Sequence, residues 1–308
     1  MGIISRQYIK NFVCRYDKEV GVPYYSASDF EGLHEEVNTF INSNNLKLSY
    51  YFYYFDNYKE DKIVLFLPGL SAGHCCYTME IACLAKRGYK VLTLDYQGVG
   101  ESAGKNMRSL NQPSRDVNAL LEHLNLDKPI VLVGHSLGGY TALNTINMRN
   151  DINKAVIISG FLSIALELGS AVKSKFIVKG ILRYERKMEP ELFKLDNVEY
   201  LKTTKDHLLF IHSEDDMMVP YQSAMKIVED INNPNIQTKR LTNRKHNPNY
   251  SDAAIAYMNE VFGGFYQLIK EKKIKSDADK INYFKDVSLE KLVEQDEQII
   301  DSICHFID

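Results

Sequence analysis

The chain has no tryptophan, no apolar run of about 18 residues and no Cys-x-x-Cys pair, and each absence removes a class of function. Without a long apolar run no segment reads as a membrane span, so stable membrane insertion is not expected. The start Met1-Gly2-Ile3-Ile4-Ser5-Arg6 lacks a signal-peptide core, and Arg6 stands where a myristoylation signal needs Ser or Thr. Five cysteines, Cys14, Cys75, Cys76, Cys83 and Cys304, are odd in number and lack metal-ligand spacing, which argues against a disulfide framework and a zinc site. Reduced thiols in a cytoplasm are the expectation. A formal net charge of -3 gives no bulk basicity, so nucleic acid is not an expected partner. Repeats and low-complexity tracts are missing too. What remains is a 308-residue chain, 45% hydrophobic, able to bury a large core as one catalytic domain with additions.

The most informative segment is Ile130-Val131-Leu132-Val133, an apolar β-branched run that enters Gly134-His135-Ser136-Leu137-Gly138 and leaves into Tyr140-Thr141-Ala142-Leu143. That reads as strand, sharp turn, helix. Gly134 and Gly138 let strand and helix approach closely, while Ser136 Oγ stands exposed at a helix N-terminus that favours negative charge. The segment resembles the nucleophile elbow of the α/β-hydrolase superfamily. The resemblance implies an α/β-hydrolase fold, a mostly parallel eight-stranded sheet flanked by helices, with partners for the serine in the order acid, then histidine. The strand Leu208 to His212 runs into Ser213-Glu214-Asp215-Asp216-Met217-Met218-Val219-Pro220, where relatives carry Gly-x-x-Asp-x-x-Val-Pro. Aligned on Val219-Pro220, the acid is Asp216. After a last strand, Ile236 to Leu241, the loop Arg244-Lys245-His246-Asn247 offers His246 as the base. His34, His74, His123, His207, His212 and His305 read as ordinary solvated residues, and His135 as the elbow's variable position.

Relatives commonly have His-Gly-x after the third strand, whereas this chain has Pro68-Gly69-Leu70. By position the N–H groups of Leu70 and Leu137 form the oxyanion hole. Leu94-Asp95-Tyr96-Gln97-Gly98-Val99-Gly100-Glu101-Ser102 matches another superfamily loop, with Asp95 in a structural role. Gly98-x-Gly100 lacks the third glycine of a dinucleotide loop, so no cofactor is expected.

An antiparallel hairpin, Glu36 to Ile41 and Leu46 to Phe55, is expected to lead the sheet, and its tyrosines fit strand alternation. Strands near Ile63, Lys90, Ile130, Ala155, Leu208 and Ile236 then alternate with helices near Tyr77–Lys86, Pro113–Asn125, Leu137–Asn147, Tyr221–Asn232 and Ser251–Lys270. The resulting division is a core of 35–160 and 207–308, an N-terminal extension 1–34 packing on it, and a helical cap inserted at 161–206. In the extension, Ile4, Tyr8, Phe12 and Tyr16 form an apolar stripe flanked by Arg6, Lys10 and Arg15. In the cap, one helix over Ile164 to Leu182 and a second over Met188 to Leu195 would lie above Ser136, with Phe176 and Ile177 among the side chains lining an acyl pocket. Val287 to Ile307 reads as one helix with an exposed acidic face.

Motif order over roughly 35–270 resembles bacterial lysophospholipases, monoacylglycerol lipases and serine aminopeptidases. It implies a small-molecule acyl substrate, a carboxylic ester cleaved through Ser136, and leaves oligomeric state open. A peptidase or amidase is the alternative, needing an acid for a substrate amine, for which Glu167, Glu185 and Glu189 are candidates. A noncatalytic homologue is a third reading, disfavoured because no triad member is missing.

Overall fold

The computed structural model describes residues 2–308. Eight strands form one sheet: β1 (His34–Ile41), β2 (Lys47–Tyr54), β3 (Ile63–Leu67), β4 (Lys90–Leu94), β5 (Ile130–His135), β6 (Lys154–Ile158), β7 (His207–Ser213) and β8 (Ile236–Leu241), in the order β1-β2-β4-β3-β5-β6-β7-β8. β1 and β2 pair antiparallel and β2 joins β4 antiparallel, whereas β4, β3, β5, β6, β7 and β8 run parallel. This is the α/β-hydrolase fold expected from the elbow.

The helices are α1 (Ile3–Asn11), α2 (Thr78–Lys86), α3 (Gln112–Leu124), α4 (Leu137–Met148), α5 (Ile164–Ala171), α6 (Lys175–Met188), α7 (Asn197–Thr203), α8 (Met225–Glu229), α9 (Asp252–Lys270), α10 (Asp277–Phe284), α11 (Leu289–Leu292) and α12 (Glu297–Ile307). Period-two alternation along each strand sorts the side chains into two cores. Leu65, Leu92, Leu132, Ile157 and Phe210 meet α3 and α4 through Val117, Leu120, Leu143 and Ile146. Val64, Val91, Val133, Ile158 and Ile211 face the other way, onto Ile81 and Leu84 of α2 and Ile299 and Ile303 of α12. The same alternation divides the tyrosines of β2, with Tyr50 on the first face and Tyr51 and Tyr53 on the second. α9, α10 and α11 enclose a satellite cluster of Val261, Phe265, Phe284 and Leu292.

Several helices differ from the sequence reading, and caps explain most of the differences. The stretch Ile164 to Leu182 is broken in two because Ser163 and Ser174 each cap a new helix, their Oγ atoms accepting from the N–H of Leu166 and Ile177. The helix expected over Met188 to Leu195 is only a 3₁₀ turn at Leu192–Lys194, and the next helix begins after the cap Asp196. Over Tyr221–Asn232 a 3₁₀ turn and the five-residue α8 replace a continuous helix, since Ala224 (φ -128, ψ -91) leaves the helical region between them. Val287 to Ile307 is likewise interrupted, with Asp296 capping α12, and five isoleucine and phenylalanine side chains of α12 are buried. Of the N-terminal stripe, Ile4 and Tyr8 lie on α1, but Tyr16 lies beyond the helix and forms a bridge with Val99. α1 packs on α6: Ile4 lies over Gly180, and Tyr8 OH donates to Glu185 Oε1 at 2.7 Å. Among the described residues no helix is long and apolar enough to cross a membrane.

Candidate active site

Ser136 sits between β5 and α4 with φ 55 and ψ -119, a conformation that an L residue holds only when its surroundings fix it. Two glycines make the turn fit. A Cβ on Gly134 would run into the carbonyl of Gly138, and one on Gly138 would run into the carbonyl of Leu67. Ser136 N–H donates to Ile158 O at 2.8 Å, tying the elbow to β6.

The loop after β8 brings His246 to the serine. His246 Nε2 lies 2.9 Å from Ser136 Oγ, and its Nδ1 lies 2.8 Å from Asp216 Oδ2. Since a carboxylate only accepts, Nδ1 carries the proton and Nε2 is left to accept from the serine hydroxyl. Asp216, in the turn after β7, is 4% exposed. Burial pushes its carboxyl up, but the bonds from His246 and from Val219 N–H outweigh that and hold it below the usual value. Its Oδ1 accepts from the N–H groups of Met218 at 2.8 Å and Val219 at 3.0 Å, which holds the carboxylate with its other oxygen toward the imidazole. Asp215 points elsewhere. It accepts from Ser213 Oγ and pairs with Lys245 Nζ at 3.0 Å.

The other two residues singled out in the sequence flank Ser136. Leu137 opens α4, and Leu70 follows Gly69, where an added Cβ would come within 3.2 Å of Ser136 Cβ. Among the described residues the N–H groups of Leu70 and Leu137 donate to no acceptor, which leaves both available to a developing oxyanion.

Three further residues take part that sequence reading passed over. His135 Nε2 donates to the carbonyl of His246 at 2.8 Å, and its Nδ1 accepts from Tyr77 OH at 2.9 Å. Tyr77 OH in turn accepts from Gly69 N–H at 3.0 Å. A chain of hydrogen bonds thus connects the loop of the histidine to the loop of Leu70, and it requires His135 to be neutral. Burial, with the neighbouring His246 adding to it, lowers His135 to about 3. His212 stands behind Asp216, its Nε2 donating to Val219 O at 2.9 Å and lying 3.4 Å from Asp216 Oδ2. The contacts of His135 span 58 and 111 residues, so no local spacing announces them.

Of the three acids considered for a substrate amine, two are occupied. Glu185 accepts from Tyr8 OH, Ser109 Oγ and Leu110 N–H, and Glu189 pairs with Arg115 at 2.6 Å. Glu167, on α5, is different. Its Oε2 is buried without a hydrogen-bond partner among the described residues, and burial, then the charge of Asp216, raises it to about 7. Phe176 and Ile177 do not line an acyl pocket. They are 77% and 41% exposed, because Ile181, Tyr184 and Glu185 occupy the inward face of α6.

The family model described as "Serine aminopeptidase, S33" matches residues 58–192, which takes in Leu70 and Ser136 but ends before Asp216 and His246. Human mitochondrial palmitoyl-protein thioesterase ABHD10 is 26% identical over 193 residues, 54% of this chain and 61% of its own length. The lysophosphatidylserine lipase ABHD12 of Macaca fascicularis is 30% identical over 152 residues, 47% of this chain and 38% of its own length. The chain therefore spans less than two thirds of the curated relatives it matches. The solved structure of the Pyrococcus furiosus esterase Pf2001 superposes with a TM-score of 0.58 at 20% identity, over 83% of this chain and 96% of that one. Sheet order and elbow give this chain the α/β-hydrolase fold, and over part of its length it is similar to the hydrolases named here.

Proposed function

We propose that the protein is a serine hydrolase that cleaves a carboxylic ester or thioester through an acyl-enzyme on Ser136. The observation that carries this is the unbroken line from Ser136 Oγ through both nitrogens of His246 to Asp216. A serine hydroxyl is a weak nucleophile until a base accepts its proton during attack. In this reading Ser136 Oγ bonds to the carbonyl carbon while its proton passes to His246 Nε2. Asp216 holds Nδ1–H and stabilises the imidazolium, and the N–H groups of Leu70 and Leu137 receive the carbonyl oxygen as it becomes negative. Collapse breaks the bond to the leaving oxygen or sulfur, which takes the proton from His246. Water, deprotonated by the same nitrogen, then releases the acid and restores Ser136. The neutral His135 beside the base adds no second positive charge when the imidazolium forms. Residues 161–206 act in this scheme as a cap, with α5 set against the turn Tyr221–Ser223 that follows the acid. The relatives named as thioesterase and lipase support an acyl substrate.

Ser136→Ala tests the reading. It should abolish labelling by a fluorophosphonate probe and lower aryl-ester turnover by about 10⁶-fold, with the melting temperature nearly unchanged. Labelling that survived would put the nucleophile elsewhere.

Glu167 supports a second reading, a substrate carrying an amine. An unpartnered carboxylate close to the acid of the triad would offer a counter-charge to an ammonium group. Because Glu167 titrates at about 7 and a substrate α-amino group at about 8, preference for an aminoacyl amide over its neutral analogue should rise from about pH 6 to a maximum between about pH 7 and 8 and then fall, and Glu167→Gln should remove the rise. Equal preference at all pH values in the native protein would leave the plain ester reading alone.

A further inference from the structure

The outward charge of the α5–α6 region has a single sign. Between residues 163 and 189 the sequence places six cations and three carboxylates, although the whole chain is acidic. The three carboxylates, Glu167, Glu185 and Glu189, all turn inward, Glu185 and Glu189 being 0% and 1% exposed. The cations remain outside. A groove of about 640 Å³ between α5 and α6 has Val172, Val178 and Leu182 on its floor and Lys173, Lys175, Lys179, Arg183 and Arg186 around it. Among the described residues none of these five forms an ion pair, so their charge is not neutralised by the protein itself.

Large apolar side chains stand on the same surface. Phe176 is 77% exposed, and at helical spacing it shares its stripe of α6 with Lys179, Arg183 and Lys187, three, seven and eleven residues on. α1, packed against α6 across Gly180, extends the face with exposed Arg6 and Lys10 and with Ile3, 80% exposed; residues 2–14 contain no acid. An exposed phenylalanine is disfavoured in water, and a set of unpaired cations around it suits a surface that offers both anionic headgroups and hydrocarbon. A polyanion such as nucleic acid would satisfy the charge but not the apolar side chains. An apolar protein groove would satisfy Phe176 but not the unpaired lysines and arginines.

We propose that the face formed by α6, α1 and the α5–α6 groove docks on anionic lipid bilayers, with Phe176 and Ile3 at the depth of the acyl boundary and the cations at the headgroups. α5 and its C-cap residue then meet the bilayer through Gly169 and Val172, while Glu167 of the same helix approaches the acid of the active site. Docking would not depend on catalysis, and its test reads binding alone.

The full chain is to be co-sedimented with unilamellar vesicles of phosphatidylcholine, with and without phosphatidylglycerol, across a salt series. Binding should require phosphatidylglycerol and weaken as the Debye length shrinks toward about 3 Å at 1 M salt. With each surface cation contributing about a fivefold factor, Lys179→Ala combined with Arg183→Ala should lower the partition coefficient about 30-fold. Phe176→Ser should lower it further in the same vesicles, while Ser136→Ala should leave it unchanged. All of these side chains but Ser136 are exposed, so hydrolysis of a water-soluble ester by the Lys179/Arg183 and Phe176 variants should match the native rate and report an intact fold. No binding to phosphatidylglycerol vesicles, or binding that the charge and Phe176 variants leave intact, would overturn the proposal. So would retention on duplex DNA at a salt concentration where vesicles are not bound.

Discussion

Two aspartate–histidine pairs stand at the carboxyl ends of parallel strands, and only one faces a serine hydroxyl. Asp216, after β7, holds His246 at 2.8 Å; Asp95, after β4, holds His74 at 2.9 Å. Both carboxylates are buried and both are filled with donors. Asp95 accepts from His74 N–H and Nδ1 on one oxygen and from Tyr51 OH and Glu101 N–H on the other. The difference lies beyond the imidazole. His246 meets Ser136 Oγ, whereas His74 lies flat on the Tyr51 ring with centroids 3.8 Å apart, and no hydroxyl or thiol is bonded to its Nε2 among the described residues. A pair of this kind becomes chemical only through its third member. The second pair acts as an anchor: His74 opens the 3₁₀ turn His74–Tyr77, and Tyr77 at its end holds both His135 and Gly69 N–H. Glycine makes the anchor possible, because a Cβ on either Gly73 or Gly100 would collide with the Asp95 carboxylate.

The sharpest way to break this comparison is to neutralise each aspartate in turn. Asp216→Asn should lower ester turnover about 10,000-fold, since the amide favours the wrong tautomer of His246. Asp95→Asn should cost stability instead, about 2–4 kcal/mol for disrupting a buried carboxylate with four donors, read in urea unfolding, with turnover of the folded fraction changed less than about tenfold. A collapse of turnover in folded Asp95→Asn protein would show that the two pairs are not divided into chemistry and support.

Both members of the first pair are legible in the sequence, whereas of the second only Asp95 is, as a structural residue of its loop, and its partner His74 is not. Ser136 was marked by glycines at two fixed offsets, and Asp216 by its register with Val219-Pro220, because elbow and turn are local structures whose sterics act within a few residues. The strands were legible for the same reason, since period-two alternation is visible in any short window. His74 and Asp95 lie 21 residues apart, and Tyr77 and His135 lie 58 apart. Nothing in either sequence neighbourhood distinguishes these histidines from solvated ones. Helix ends were misread where a serine or aspartate cap restarted a helix inside an apolar period, as at Ser174 and Asp296, because periodicity carries across a cap that the backbone does not. The apolar spacing that puts Phe176 and Ile177 in a pocket identifies a helix with apolar positions but not which of them a neighbour covers, and both are exposed.

His135 links the two pairs, and pH reads its contribution. Folded, it titrates at about 3; unfolded, near its ordinary 6.5. Its folded value is depressed, so below 6.5 the unfolded chain binds a proton that the native state refuses. The stabilisation is complete above 6.5 and declines by about 1.4 kcal/mol per pH unit as pH falls toward 3. His135→Gln removes the titration while keeping a donor for the carbonyl of His246. The difference in unfolding free energy between native protein and variant should therefore change with that slope between about pH 6 and pH 4, where the contributions of other groups cancel. A flat difference would mean that His135 is protonated in the fold and that the link to Tyr77 is absent.

The smallest effect separates Asp216 from its neighbour. Asp215 belongs to the same turn, but its oxygens go to Ser213 Oγ and to the backbone and side chain of Lys245, one residue before His246. It tethers the outside of the loop and does not touch the imidazole. Lys245 is half exposed at this pair, and ion pairs of that kind contribute about 0–1 kcal/mol. Asp215→Asn keeps an oxygen for Ser213 and loses only the charge facing Lys245, so turnover should fall less than about fivefold, with the reduction growing smaller at high salt as the native pair is screened. Measured beside Asp216→Asn under one set of conditions, a loss of comparable size at Asp215 would shift the orienting role by one residue and undo the contrast between the two pairs at its source.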